Sequence, residues 1–291
     1  MRSQDKLDVA GPDRRAWSGY AIPSRLVPLR WRQVFALYLQ YGDEHHASGM
    51  AVLRRQVARL FPRSRASFLV IDNALDAATP PRVDGDQTRL AGDNANREFS
   101  GWDRGLRWLR SSRRVSPNDI VVLANDTFHR SYGSEYLELF RPREIERALR
   151  RNALVGYMDA YPEPVTLFGH RLRSWVRSSL ALTTARTIHS LLPLQVGEID
   201  HLVFSEAPAE FFRRDAPLCE RYQGYLRTWL FGEEAAGGFR ERWHSRAPLT
   251  EANRLRMRAK ARCIFAEHAL SARARALPVP VLDVRGVRYD L

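Results

Sequence analysis

Residues 92–129 read GDNANREFSGWDRGLRWLRSSRRVSPNDIVVLANDTFH. A polar loop with Gly92, Asn94, Asn96 and Gly101 opens a short helix, a turn follows, and a strand from Asp119 to Ala124 empties into Asn125, Asp126 and Thr127. Ile120, Val121, Val122 and Leu123 form an unbroken apolar run, as expected of a central parallel strand covered on both faces. Polar groups just past the carboxyl end of such a strand face the crevice where open α/β sheets bind ligands. Asp126 is therefore a candidate ligand for a divalent cation, and Asn125 a candidate donor to a sugar or phosphate oxygen. The competing reading makes Asn-Asp-Thr a turn cap and the asparagines loop formers.

Outward from this stretch, Val34 to Leu39 is an apolar run that ends at Tyr41 and Gly42. Met50, Leu53, Val57 and Leu60 then recur at helical spacing, and the helix stops before Pro62. Phe68 to Ile71 is a second buried run, ending in Asp72-Asn73. Strand, helix, strand in this order is a βαβ unit with a parallel sheet. Residues 75–89 read as a loop, with Leu90 marking a short strand. In the helix of the central stretch, Phe99, Trp102, Leu106 and Leu109 share one face. Beyond it, residues 134–151 are helical and split at Pro142. A strand at Ala153–Tyr157 is broken by Pro162 and Pro164. Residues 172–192 begin as strand and finish as helix, 208–231 are helical, and Gly232, Gly237 and Gly238 mark a break. Thr250 caps a long basic helix over 250–276, and Val279, Val281, Val284 and Val287 continue as a strand or extended arm.

The chain has 291 residues and a formal charge of +13, carried by arginine except at Lys6 and Lys260. Such charge suits a phosphate-bearing partner: a nucleotide sugar, nucleic acid or an anionic membrane. The arginines are scattered and not gathered with stacking aromatics, which argues against nucleic acid. No apolar run approaches the roughly 18 residues of a membrane span, and the N-terminus lacks the apolar core of a signal peptide. Cys219 and Cys263 match no metal spacing, so a reducing, cytoplasmic setting is expected. The expected organisation is an irregular arm (1–30), a catalytic domain (31–245, with a nucleotide-binding half at 31–130 and an acceptor half at 131–245) and a basic C-terminal helix and tail (246–291).

This order of motifs resembles the family 2-like nucleotide-sugar glycosyltransferases of the GT-A fold, of the bacterial polysaccharide and rhamnan-synthesis type. The resemblance rests on IDNALD (71–76), GDNANREFSGWDRGL (92–106), LANDT (123–127) and WVRSSLAL (175–182) and covers about 34–192. It implies an α/β fold, a mostly parallel Rossmann-related sheet flanked by helices with a helical C-terminal extension. It implies transfer of a sugar from a nucleoside diphosphate to a polysaccharide or lipid-linked glycan. Gly42, Asp72, Asn73, Asn94, Asn96, Arg104 and Asn125 would line the nucleotide-sugar site, with Asp72 on the base. Asp126 would match the last acid of an Asp-x-Asp signature and hold Mg²⁺ or Mn²⁺ on the diphosphate. Ala124 occupies the first acid's place, a departure that weakens the metal site. Glu198, Asp200 and Glu206 are candidates for the base that takes the acceptor proton, with Glu206 preferred. His45, His46 and His129 are weaker candidates for metal or phosphate contact, and Trp102 and Trp108 are expected in the core. The helix at 250–276 is either a solvated basic helix packed on the domain or a peripheral contact with the inner membrane face. The rival readings are a non-catalytic relative of the same fold and a basic nucleic-acid-binding protein.

Overall fold

The computed structural model describes residues 32–43, 46–130, 133–232 and 247–287. The N-terminal arm, His45, the side chain of His46, and Gly237 and Gly238 lie outside the described residues. The apolar runs become strands: β1 (Val34–Gln40) and β5 (Ile120–Asn125) are buried along their whole length. Between and after them come α1 (His46–Leu60), β2 (Ala66–Asp72), β3 (Arg82–Asp84), β4 (Gln87–Ala91), α2 (Arg97–Ser112), α3 (Pro142–Arg150), β6 (Leu154–Leu167), β7 (His170–Thr184), α4 (Ala185–Ser190), α5 (Asp200–Val203), α6 (Glu220–Phe231), α7 (Glu251–Ala276) and β8 (Val281–Asp283). They build one eight-stranded sheet in the order β3-β4-β2-β1-β5-β7-β6-β8. Its heart, β4-β2-β1-β5, is parallel, while β7 runs antiparallel between β5 and β6. The fold is Rossmann-like α/β.

Alternation along β1 divides the core. Val34, Ala36 and Tyr38 face α1 and α3, packing with Leu53, Val57, Ile145 and Leu149. Phe35, Leu37 and Leu39 face α2, α4 and α7, packing with Phe99, Trp102, Leu106, Ile188 and Leu270. Trp102 is core, as expected, and Trp108 is half-buried beside it. Gly101 and Gly105 bring α2 close to the sheet: a Cβ on Gly101 would sit 2.2 Å from Leu39 Cδ1, and one on Gly105 3.1 Å from Ile71 and Leu37. A third cluster, rich in aromatics, joins the outer parts of β6 and β7 to α6 and α7.

Several expectations need correction. The stretch at 75–89, expected as a loop, holds β3 and the start of β4, which pair antiparallel; β4 carries Leu90, where a short strand was expected. Pro162 and Pro164 do not end β6; they fall where its register with β7 shifts between Ala160 and Val165, an irregularity that leaves their missing amides unneeded. The helix expected from 208 starts at Glu220, because Phe211 and Phe212 fold back on Phe204 and Phe212 bridges to it. Residues 135–139 form a 3-10 turn, and Pro142 begins α3. α7 begins as expected, with Thr250 and Asn253 in a reciprocal capping box. α7 then packs in both the second and third clusters, and β8 adds to β6 in parallel. Among the described residues no helix is long and apolar enough to cross a membrane.

Candidate functional site

The parallel strands deliver their carboxyl ends to one rim. Gln40 stands beside Asp72 and Leu39 beside Asn125. The chain leaves β1 through Tyr41 and Gly42, the latter in the left-handed region at φ +71°. Two successive amides of this turn hold the two acids: Tyr41 N–H donates to Asp126 Oδ2 at 3.1 Å, and Gly42 N–H to Asp72 Oδ1 at 3.0 Å.

Asp72 is the strut of the rim. Its side chain is 1% exposed. It accepts from the Gly42 and Ala74 amides, from Gln40 Nε2 at 2.9 Å, and from Arg89. Burial alone would push its carboxyl up, but the Arg89 guanidinium, the two amides and Gln40 together hold it below the usual carboxylate range.

Next to it, Asn73 Nδ2 donates to Asn94 Oδ1 at 3.3 Å and to the Arg97 carbonyl at 3.2 Å. Its Oδ1 is buried with no hydrogen-bond partner among the described residues. Gly92 makes room for it, since a Cβ there would lie 1.9 Å from that oxygen. The loop from Gly92 into α2 carries two non-glycine residues with positive φ, Asn94 at 50° and Arg97 at 45°. Such conformations are costly and cluster at ligand sites. Asn96 caps α2 from a buried position, its backbone amide donating to Ser100 Oγ. Its Nδ2 is also buried and unpartnered among the described residues.

Sequence reasoning missed what α7 brings here. Cys263 Sγ lies 3.5 Å from Asn96 Oδ1, which places one turn of α7 against the start of α2. One turn on, Glu267 accepts from the Ser178 amide of β7. Burial pushes the Glu267 carboxyl up to about 7, opposed by the Ser178 hydrogen bond, with Asp159 and Glu98 adding like-charge repulsion. Glu98, in the first turn of α2, is also raised by burial; Asp126 adds to this, while Arg97 and the Asn125 side chain oppose it. The Lys260 ammonium is lowered by burial and then by neighbouring Arg97. The rim thus gathers the carboxyls of Asp126, Glu98 and Glu267 and the cations Arg97 and Lys260, at the positive end of a 16-residue helix. Only tertiary proximity reveals this set, because α7 follows α2 by more than a hundred residues. The one sequence signal was Lys260, a rare lysine in an arginine-rich chain.

Gly42, Asp72, Asn73, Asn94, Asn96, Asn125 and Asp126 are therefore brought together. Asn125 Oδ1 accepts from Thr127 Oγ1 at 3.1 Å. Arg104 instead donates to the Ala77 carbonyl at 2.9 Å, tying down the loop after β2. Glu206 is 85% exposed and pairs with Arg258 at 3.1 Å. It lines a groove of about 430 Å³ together with His201, Ser205, Glu210 and Arg213. Asp200 pairs with Arg262 at 2.7 Å, and Glu198 is exposed. His129 Nε2 lies 3.2 Å from Ser48 Oγ, its ring beside Phe128. Among the described residues no three His, Cys, Asp or Glu side chains are placed to hold a metal ion.

No protein family matches the sequence, and no curated protein does. Among solved structures, the chain is similar to a crystal structure of 4-diphosphocytidyl-2C-methyl-D-erythritol synthase, at 14% identity and a TM-score of 0.36, over 57% of this chain and 81% of that one. Likeness at that level has no bearing on chemistry.

Proposed function

We propose that the chain is a glycosyltransferase that takes a sugar from a nucleoside diphosphate and passes it to a glycan or lipid-linked acceptor. The observation that carries the reading is the rim itself: the Tyr41 and Gly42 amides hold Asp126 and Asp72 at the carboxyl ends of β5 and β2, the two strands that flank β1. Beside them the strained Asn94–Arg97 loop opens α2. Glycine at 92, left-handed backbone and a helix N-terminus together suit close approach of a phosphorylated ligand. In this reading Asp72 shapes the corner from inside, while Asn73, Asn94 and the Gly42 turn meet the nucleoside. Arg97 and Lys260 face the diphosphate, whose departure needs charge neutralisation.

A divalent cation, when bound, would neutralise the same oxygens. The donor set here is one carboxylate, Asp126, with Glu98 and Asn125 as neighbours. Such a set fits Mg²⁺ or Mn²⁺ only if the ligand's own phosphates complete the shell, which is how Mg²⁺ is commonly held. Among the acids, Glu267 is better placed than Glu206 to take the acceptor proton, since it lies with the rim groups and its carboxyl is poised near neutrality.

The test is a thermal-shift panel of nucleoside diphosphate sugars with and without Mn²⁺, followed by donor hydrolysis and transfer assays on any that stabilise. Asp126→Asn should abolish stabilisation and turnover together. Full transfer by that variant would remove Asp126 from the mechanism. A second reading, a ligand-binding relative without turnover, is favoured by Ala124 in β5 where the family signature has an acid. Stabilisation by a donor without any hydrolysis or transfer would select it.

A further inference from the structure

Exposed arginines without a carboxylate partner among the described residues occur at several places on the fold, and six of them share one end of the sheet. The strands β2, β1 and β5 start, and β7 ends, at the sheet end opposite the rim, with β6 starting there too. The segments at this end carry Arg63 and Arg65 before β2, Arg113 and Arg114 before β5, Arg151 before β6 and Arg186 after β7. All six are exposed, and none has a carboxylate partner among the described residues. The acids at the same end are mostly committed. Asp119 is buried and accepts from the Ser116 and Gln33 amides. Glu146 pairs with Arg150 and Asp86 with Arg54, leaving Asp84 at the tip of the β3-β4 hairpin.

From this placement we propose that the end of the sheet opposite the rim is a docking face for an anionic lipid surface. Adjacent strands are about 4.8 Å apart, so the five strands from β2 to β6 span about 19 Å. That is little more than two Debye lengths at physiological salt, so the arginines act as one patch. Arg63 and Arg151 follow helices on one side of the sheet, α1 and α3. Arg113, Arg114 and Arg186 belong with α2 and α4 on the other. The charge is thus a two-dimensional array, which matches a plane of phosphates. A nucleic acid would instead call for a line of charge with stacking aromatics. Guanidinium forks suit phosphate diesters. Trp108, half-buried near the end of α2 with the Arg113 guanidinium 5.6 Å from its ring, adds an interfacial side chain of the kind found at headgroup depth. The seven residues of β1 would hold the Asp72–Asp126 rim roughly 23 Å above the lipid phosphates, facing water.

The experiment is co-sedimentation with vesicles of phosphatidylcholine alone and of equal parts phosphatidylcholine and phosphatidylglycerol, at low and high salt. Wild-type chain is compared with R113E/R114E and with R171E/R173E, which makes the same charge change at the exposed tip of the β6-β7 hairpin. Thermal melts of all three confirm folding. The expected result is salt-sensitive binding to the anionic vesicles only, weakened about tenfold or more in R113E/R114E and unchanged in R171E/R173E. Equal weakening of both variants would reduce the effect to net charge and overturn the proposal, as would failure of the wild type to sediment. Duplex DNA bound more tightly than the vesicles, and released by R113E/R114E, would overturn it in favour of nucleic acid.

Discussion

Replacing Asp72 by Asn tests whether the rim is held from inside. The carboxylate accepts two backbone amides on Oδ1, from Gly42 and Ala74, and the side chains of Gln40 and Arg89 on Oδ2. Asn keeps the shape and satisfies the amides, but turns an NH₂ towards two donors. Gln40 Nε2 is buried and loses its 2.9 Å acceptor, about 1 kcal/mol. Arg89 is one-third exposed and keeps Asp43 at 2.9 Å, so its loss is discounted for solvent to about 1–2 kcal/mol. Together Asp72→Asn should cost about 2–3 kcal/mol in urea unfolding at neutral pH. The sign of the pH dependence follows from a carboxyl held below its ordinary value. The stabilisation is complete above the unfolded pKa of about 3.9 and is lost as pH falls through the lower folded value. The gap between wild type and variant should be flat above about pH 5 and close in stronger acid. A cost under about 1 kcal/mol, or a gap that persists into strong acid, would refute the idea that this buried pair organises the rim.

Three further outcomes are expected. Glu267 has a carboxyl raised to about 7 by burial, so it stabilises the fold below the ordinary carboxyl value and that contribution is lost as pH rises through about 7. The urea midpoint should fall between pH 5 and pH 8 in the wild type and fall less in Glu267→Gln; equal falls would remove the burial argument. Gly92→Ala drives a methyl to within 1.9 Å of Asn73 Oδ1 and 3.2 Å of Asn73 Cα, so it should cost about 1–3 kcal/mol and erase any donor-induced thermal shift, whereas an unchanged melt would show the loop is slack. Arg254→Met strips buried donors from the Pro208 and Glu210 carbonyls and should cost about 2–4 kcal/mol by urea unfolding; a neutral effect would mean the start of α7 is loosely held.

The first half of the sheet was readable because its signals are local. β1, β2 and β5 announce themselves as unbroken apolar runs, each ending in the polar residues that reach the rim. The second half was harder because tertiary contacts override local rules there. Two prolines sit inside β6 where its pairing slips, so no amide is missed. Phe211 and Phe212 mimic the start of an amphipathic helix but are spent on Phe204. The basic stripe of α7 was the most misleading signal. Arg254 and Arg258 look like a solvated face, yet both are buried, reaching carbonyls of the 205–210 segment.

That inward turn of the arginines explains why the candidate site is invisible in linear sequence. Once Arg254 and Arg258 anchor the start of α7 to the chain before α6, helical geometry fixes where the next turns fall: Cys263 against Asn96, Glu267 under the Ser178 amide. Lys260 and Glu267 are therefore carried into a rim built by β1, β2, β5 and α2 by a helix whose own packing is settled elsewhere. A chain ending before α7 would keep every motif that resembles a transferase and would lose Lys260 and the raised carboxyl of Glu267. It would also uncover the α2 face of the sheet, because Ala266, Leu270 and Ala274 cover it. The basic C-terminal helix is on this argument a wall of the site and of the core at once, so perturbations there should be felt as loss of both stability and ligand response.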